Sequence, residues 1–157
     1  MITETDLRLL RRCVDLAAEA LDAGDEPFGA LLADPEGQVL HEERNQVNTL
    51  DRTRHPELAI ARWAAAGLSP AQRAATTVYT SGEHCPMCAA AHALAGLGRI
   101  VYATSRAQIG RWRTGPGPLA PLSVREVAPG VLVEGPVERF ADEMHALHLG
   151  LAERPLR

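Results

Sequence analysis

Two short fragments of this 157-residue chain, His55-Pro56-Glu57 and Cys85-Pro86-Met87-Cys88, carry side chains able to do chemistry together. Each alone is a weak signal. A His-x-Glu triplet arises often by chance, and a lone Cys-x-x-Cys serves redox, structural and metal roles alike. Their placement strengthens them, because each follows an irregular or extended stretch and opens a helical one. A helix N-terminus presents free N–H groups and a partial positive charge, which favour thiolate over thiol. Two such starts side by side bring one imidazole and two thiolates to a metal ion. Three protein ligands leave the fourth tetrahedral position open, as in a catalytic zinc site rather than a closed structural one. The competing reading is a structural site with Glu57 on a solvated face. It needs a fourth ligand, and neither His84 nor Cys13 has the paired spacing for it.

The elements that must position these residues follow from the pattern of apolar side chains. Leu7, Leu10, Val14, Ala17 and Leu21 recur at helical spacing and predict a first helix, capped by Thr3 or Thr5 and stopped at Gly24. Pro27 to Ala33 and Gln38 to Asn45 flank the turn residues Asp34-Pro35-Glu36-Gly37, which predicts a hairpin. A second helix is expected from about His55 to Ala66. Its apolar residues are Leu58, Ala59, Ile60, Trp63 and Ala64, with Ala59 and Trp63 read as core, and Gly67 and Pro70 mark its end. Thr76 to Ser81 predicts a strand, Pro86 to about Leu97 an Ala-rich helix, and Arg99 to Thr104 a further strand. Residues 105–122 hold three glycines and three prolines and read as irregular. Val124 to Val127 is expected as a last strand, and Val137 to about Leu151 as a last helix with Phe140, Met144 and Leu147 on one side. This alternation predicts a single α/β domain over residues 1–157 with a mixed, layered sheet.

Read in order, Pro27-Phe28-Gly29-Ala30, Asn45, His55-Pro56-Glu57 and Glu83-His84-Cys85-Pro86-Met87-Cys88 resemble the motifs of the cytidine deaminase superfamily, His-x-Glu followed by Pro-Cys-x-x-Cys. The pattern is most similar to the branch of bacterial guanine and cytosine deaminases and tRNA adenosine deaminases. It spans roughly residues 5–104, with only loose similarity beyond. The resemblance implies a three-layer α/β/α fold with a mixed five-stranded sheet. It also implies zinc (Zn2+) on His55, Cys85 and Cys88, with Glu57 as proton shuttle. The chemistry needs these residue types. Zinc lowers the pKa of a bound water towards about 7 and so supplies hydroxide to the ring carbon bearing the amino group. A carboxylate close to the metal, but not bound to it, takes the water's proton, delivers it to the ring nitrogen, and later helps to protonate the departing ammonia with a second proton. A two-residue offset from His55 on one helical turn puts Glu57 in reach.

Several positions around this set are expected to meet substrate. Asn45, by its place in the pattern, offers an amide that donates and accepts against a ring edge. Phe28 is expected to pack in the core while presenting a face for stacking. Pro56 stands where the branch usually has alanine; it suits the first helical position, and with no N–H it cannot donate to a substrate there. Glu83 enters by its place in the motif. His84 replaces the usual proline, either as an outer-lying or surface residue or as one reaching the pocket mouth or a thiolate. Trp112 is expected as a pocket wall or lid. Residues 105–123 contain no Asp or Glu, which argues against a strict guanine assignment and for an aminated ring other than standard guanine; Glu134, Glu138, Asp142 and Glu143 are the C-terminal acids left for a guanine-like edge.

Composition bounds the rest. Hydrophobic residues make up 46% and charged residues 23%, the balance of an ordinary soluble globular protein. A net charge of -4 argues against a dedicated nucleic-acid binder, which gains most of its affinity by neutralising phosphates; the densest basic cluster is only Arg106, Arg111 and Arg113. Three cysteines, Cys13, Cys85 and Cys88, suit a reducing compartment, and the opening residues are polar and acidic rather than secretory. No apolar run reaches membrane-span length. The expectation is a cytoplasmic homodimer, the dimer implied by the resemblance, that binds neither membrane nor nucleic acid and deaminates a small aminated heterocycle. The alternatives are a tRNA adenosine deaminase and a catalytically silent zinc-binding module that binds a partner.

Overall fold

Helix α1 (Glu4–Asp22) begins with Thr3 and Asp6 in a reciprocal capping box, so Thr3 is the cap. It ends in a Schellman turn: the amide of Asp25 donates to the carbonyl of Ala20 and that of Gly24 to Leu21, with Gly24 at φ +96°. The computed structural model describes residues 1–154. The expected hairpin is formed by β1 (Gly29–Ala33) and β2 (Val39–Arg44), paired antiparallel. On its other side β1 pairs antiparallel with β3 (Thr77–Gly82), which runs parallel to β4 (Arg99–Thr104). The parallel edge strand β5 (Val133–Glu134) completes a mixed five-stranded sheet of order β2-β1-β3-β4-β5.

Helices cover both faces, so the inner strands are buried almost throughout. Successive residues of β1 serve opposite faces. Leu31 packs with Leu10 and Val14 of α1 and Met144 of α7 (Ala141–Ala152). Leu32 packs with Ile60 and Ala64 of α2 (Pro56–Gly67). Ala89 of α4 (Pro86–Leu94) joins Ile100 on this second face. The result is the three-layer α/β/α domain. Gly29 allows α1 to lie directly on β1: a Cβ there would stand 2.4 Å from the Leu16 Cβ and 2.5 Å from the Cys13 carbonyl.

Departures from the sequence reading concentrate after residue 104. Ser105 and Gln108 form a capping box that starts α5 (Arg106–Trp112) inside the stretch expected to be irregular. The glycines and prolines that suggested an irregular segment lie mostly beyond it. Val124–Val127 is one turn of helix, α6, and not a strand, since Ser123 and Glu126 cap it; the last strand is Val133–Glu134. A 3-10 turn, Glu138–Phe140, precedes α7, so the final α-helix begins at Ala141. The short helix α3 (Pro70–Ala75) is additional, because Pro70 at its first position reads equally well as a stop. Trp63 and Ala59 are not core: Trp63 is 37% exposed and stacks on His41, and Ala59 is half-buried. The inward stripe of α2 is Glu57, Ile60, Ala61 and Ala64, so a carboxylate takes a place that apolar patterning assigned to an aromatic.

Candidate active site

The two helix starts meet. Pro56 and Pro86 occupy the first positions of α2 and α4, which leaves His55 and Cys85 as N-caps with extended backbones. Nδ1 of His55 lies 3.5 Å from Sγ of Cys85 and 3.6 Å from Sγ of Cys88. All three atoms fall within 4.8 Å of one another. Tetrahedral zinc with bonds of about 2.1 Å to nitrogen and 2.3 Å to sulfur separates such atoms by about 3.6 Å, so the donor set fits zinc in type and spacing. Neither Cys13 nor His84 belongs to the cluster. The Cys88 thiol and His55 pull Cys85 down against the effect of burial, and Cys85 and burial push Cys88 up. Contact with Cys85 raises His55 against its own burial.

Glu57 stands beside this cluster but outside it. It is 6% exposed, and its Oε1 accepts a hydrogen bond of 2.6 Å from the Thr80 hydroxyl. Burial pushes the carboxyl up; the Thr80 hydroxyl and the His55 charge hold it back. The same Thr80 oxygen lies 2.8 Å from the Gly82 carbonyl. A hydroxyl has one hydrogen. It can therefore donate to Glu57 when that group is a carboxylate and turn to Gly82 when Glu57 holds the proton.

Phe28, Asn45, Pro56 and Glu83 line a cavity of about 40 Å³ together with His55 and Glu57. Asn45 is 1% exposed, and its Oδ1 accepts from the backbone amides of Val47 (3.0 Å) and Glu26 (3.3 Å), which makes Nδ2 its free, donating end. The fully buried carboxylate of Asp25 shapes that loop by accepting from the amides of Asn48 and Thr49 and from the Thr49 hydroxyl. Glu83 has both oxygens engaged, one with the Arg106 amide (2.8 Å) and one with the Val124 amide (2.9 Å). It therefore caps α5 and α6 and fastens the C-terminal third to the pocket wall.

Two expected residues lie elsewhere. His84 is 1% exposed, sits edge-on to His92 at 5.3 Å, and is kept neutral by burial; it is neither at the surface nor in the pocket wall. Trp112 does not line the cavity. The helical turn of α5 directs it to α7, where it stacks on His145 at 4.9 Å and tilts against His148. Glu134 and Glu143 are bound to Arg99 and Arg11, and none of the four C-terminal acids lines the cavity. The wall is completed instead by Glu26, Arg106 and Arg113. Glu26 directly precedes Pro27-Phe28-Gly29-Ala30, and the two arginines belong to the basic cluster already noted. Asp25 and Thr80 carry no sequence signal beyond their closeness to a motif.

Residues 3–104 match the family described as the cytidine and deoxycytidylate deaminase zinc-binding region. The chain belongs to this family. A probable cytosine deaminase of Schizosaccharomyces pombe is 30% identical over 126 residues, 78% of this chain and 75% of that protein. The guanine deaminase of Bacillus subtilis is 38% identical over 100 residues, 62% of this chain and 58% of that protein. The chain thus spans little more than half of the second relative. Among solved structures, NE0047 in complex with 2,6-diaminopurine has a TM-score of 0.76 at 20% identity, covering 100% of this chain and 87% of that one, and shows the fold. Among the described residues, no helix is long and apolar enough to cross a membrane.

Proposed function

We propose that this family member is a zinc-dependent aminohydrolase of a free aminated heterocycle, replacing an exocyclic amino group by an oxo group and releasing ammonia. The observation that carries the reading is Glu57, buried at a cavity with a three-ligand donor set and held by Thr80 rather than by a cation. When held by His55, Cys85 and Cys88, zinc supplies an acidified water. Glu57 takes one proton from the attacking water at its free carboxylate oxygen and gives it to the ring nitrogen; it then takes the second proton from the oxygen now on the ring carbon and gives it to the leaving amine. Thr80 follows by turning between Glu57 and Gly82. The Asn45 Nδ2 donates to a ring carbonyl or imine nitrogen, and Phe28 offers a face to the ring. Pro56 leaves the ring without a backbone donor at the start of α2. The family resemblance extends the proposal to a cytoplasmic homodimer, checked by sedimentation velocity.

The decisive experiment screens cytosine, guanine and other aminated purines, pyrimidines and triazines for ammonia release, with zinc quantified in the same protein. Release by the wild type and its loss in Glu57→Gln is the expected result. No release from any compound by fully zinc-loaded protein counts against catalysis and favours the partner-binding module. Salt-dependent binding of tRNA stem-loops favours the editing enzyme instead.

A further inference from the structure

The cavity of about 40 Å³ holds water-sized species only, whereas pockets for small-molecule ligands run from about 300 Å³ upward. Something must move before a ring enters, and the wall shows which part. Phe28 is fixed. A Cβ on Gly82 would lie 2.8 Å from its Cε1, so the strand backs the ring closely, and His148 packs edge-on to it at 5.2 Å. The opposite partner is Arg113, whose guanidinium carbon stands 5.3 Å from the Phe28 centroid while Nη2 donates to Oε2 of Glu26 at 2.6 Å. Arg113 follows the end of α5 at the start of the irregular stretch, and its side chain is 35% exposed. Ion pairs this open to water hold weakly.

A guanidinium is a flat π-cation edged with N–H donors. Placed over the Phe28 ring and donating to Glu26, it offers a flat shape and a hydrogen-bonding edge like those of an aminated heterocycle. We propose that Arg113 is a displaceable cover that stands in for the substrate, and that Glu26 is the residue that selects rings bearing an unsubstituted ring N–H. On entry the ring replaces Arg113 on Phe28, and its N–H takes the place of Nη2 at Glu26. The Asn45 Nδ2 meets an acceptor on the same ring, so donor and acceptor are both read. A free base satisfies Glu26; a base alkylated at that nitrogen leaves a desolvated carboxylate without a partner, which is strongly unfavourable. The inference deepens the proposed deaminase reading and rests on it for the reaction, though not for binding.

The test compares wild type, Arg113→Ala and Glu26→Gln, all zinc-loaded, on cytosine and guanine beside 1-methylcytosine and 9-methylguanine. Arg113→Ala is expected to lower KM at unchanged kcat. Glu26→Gln is expected to lower kcat/KM for the unsubstituted bases by about tenfold or more and to raise it for the methylated ones, because no charge is left unpartnered. Calorimetric binding of the same four rings, with each variant also carrying Glu57→Ala, reads the contacts without turnover. Binding that depends on Glu26, together with no ammonia release from any ring by zinc-loaded protein with Glu57 intact, would sink the deaminase reading and leave this one standing. A KM that rises in Arg113→Ala makes Arg113 a substrate-holding residue and overturns the proposal. So does an equal loss for methylated and unmethylated rings in Glu26→Gln, or no binding of any ring to any variant.

Discussion

Residues 3–104 and residues 105–154 are held by different physics. The first region joins three buried inner strands to two helices whose N-caps are His55 and Cys85, so the candidate metal and proton chemistry rests on backbone that cannot shift without breaking the sheet. Apart from α7, the second region is made of short helical turns and one two-residue strand, attached at particular points. Glu83 caps both α5 and α6, Arg113 reaches Glu26, and Trp112 and His148 fill the gap between α5, α7 and Phe28. The difference is instructive. The candidate metal and proton chemistry rests on the part of the fold with most cooperative support, and the proposed cover, Arg113, is hung on a part that can rearrange locally.

That division can be broken from either side. The largest effect is expected on the rigid side: Cys88→Ser, or chelation, takes zinc from near one per chain to near zero and ammonia release to background, as read by metal analysis. Glu57→Gln should lower kcat by about 10² to 10⁴ while the zinc content stays at the wild-type value, which separates proton transfer from metal binding. On the attached side, Glu83→Ala removes two charge-assisted caps and should cost about 1–3 kcal/mol in urea unfolding. Hydrogen exchange should speed up in residues 105–127 with zinc retained; faster exchange across β1 and β3 instead would show that the two regions are one cooperative unit.

Acid sensitivity gives the smallest and finest distinction. Burial, with Arg113 and His145 nearby, lowers His148 to about 3 from an ordinary value of 6.5. Its neutral form is required in the fold, so its stability is complete above about 6.5 and is lost as pH falls through 3. Urea midpoints of His148→Phe should therefore fall less than those of wild type between pH 6.5 and 3.5. Asp6 lies in the other region. Burial raises it, but hydrogen bonds from Arg99, Tyr79 and Thr3 prevail and leave it at about 2. Its contribution, on the order of 2 kcal/mol, is present above pH 3.8 and disappears as pH falls through 2. Asp6→Asn should abolish only that lower window.

The sequence was most legible where local rules and tertiary structure agree. The Cys-Pro-Met-Cys and His-Pro-Glu starts are helix N-termini by composition alone, and prolines at both first positions announce them. The hairpin was readable from Asp34 to Gly37, and α1 from the spacing of Leu10, Val14 and Ala17. Trp63 was misread because the inward face of α2 is chosen by Glu57, a functional exception to apolar patterning. The C-terminal third was misread for another reason. Its helices are short, their capping boxes at Ser105 and Ser123 compete with nearby glycine and proline, and Glu83, some 20 to 40 residues away, decides which turns persist.

By itself, then, the sequence determined the donor set, its order and the family, because metal ligation and helix starts are properties of residue type and short spacing. The tertiary structure alone decided that Thr80 holds Glu57, that Asn45 keeps its amide nitrogen free, and that Arg113, paired with Glu26, lies over Phe28. Each is a meeting of side chains from separate elements, and no local spacing encodes the distance between two strands or the turn of a helix on a sheet.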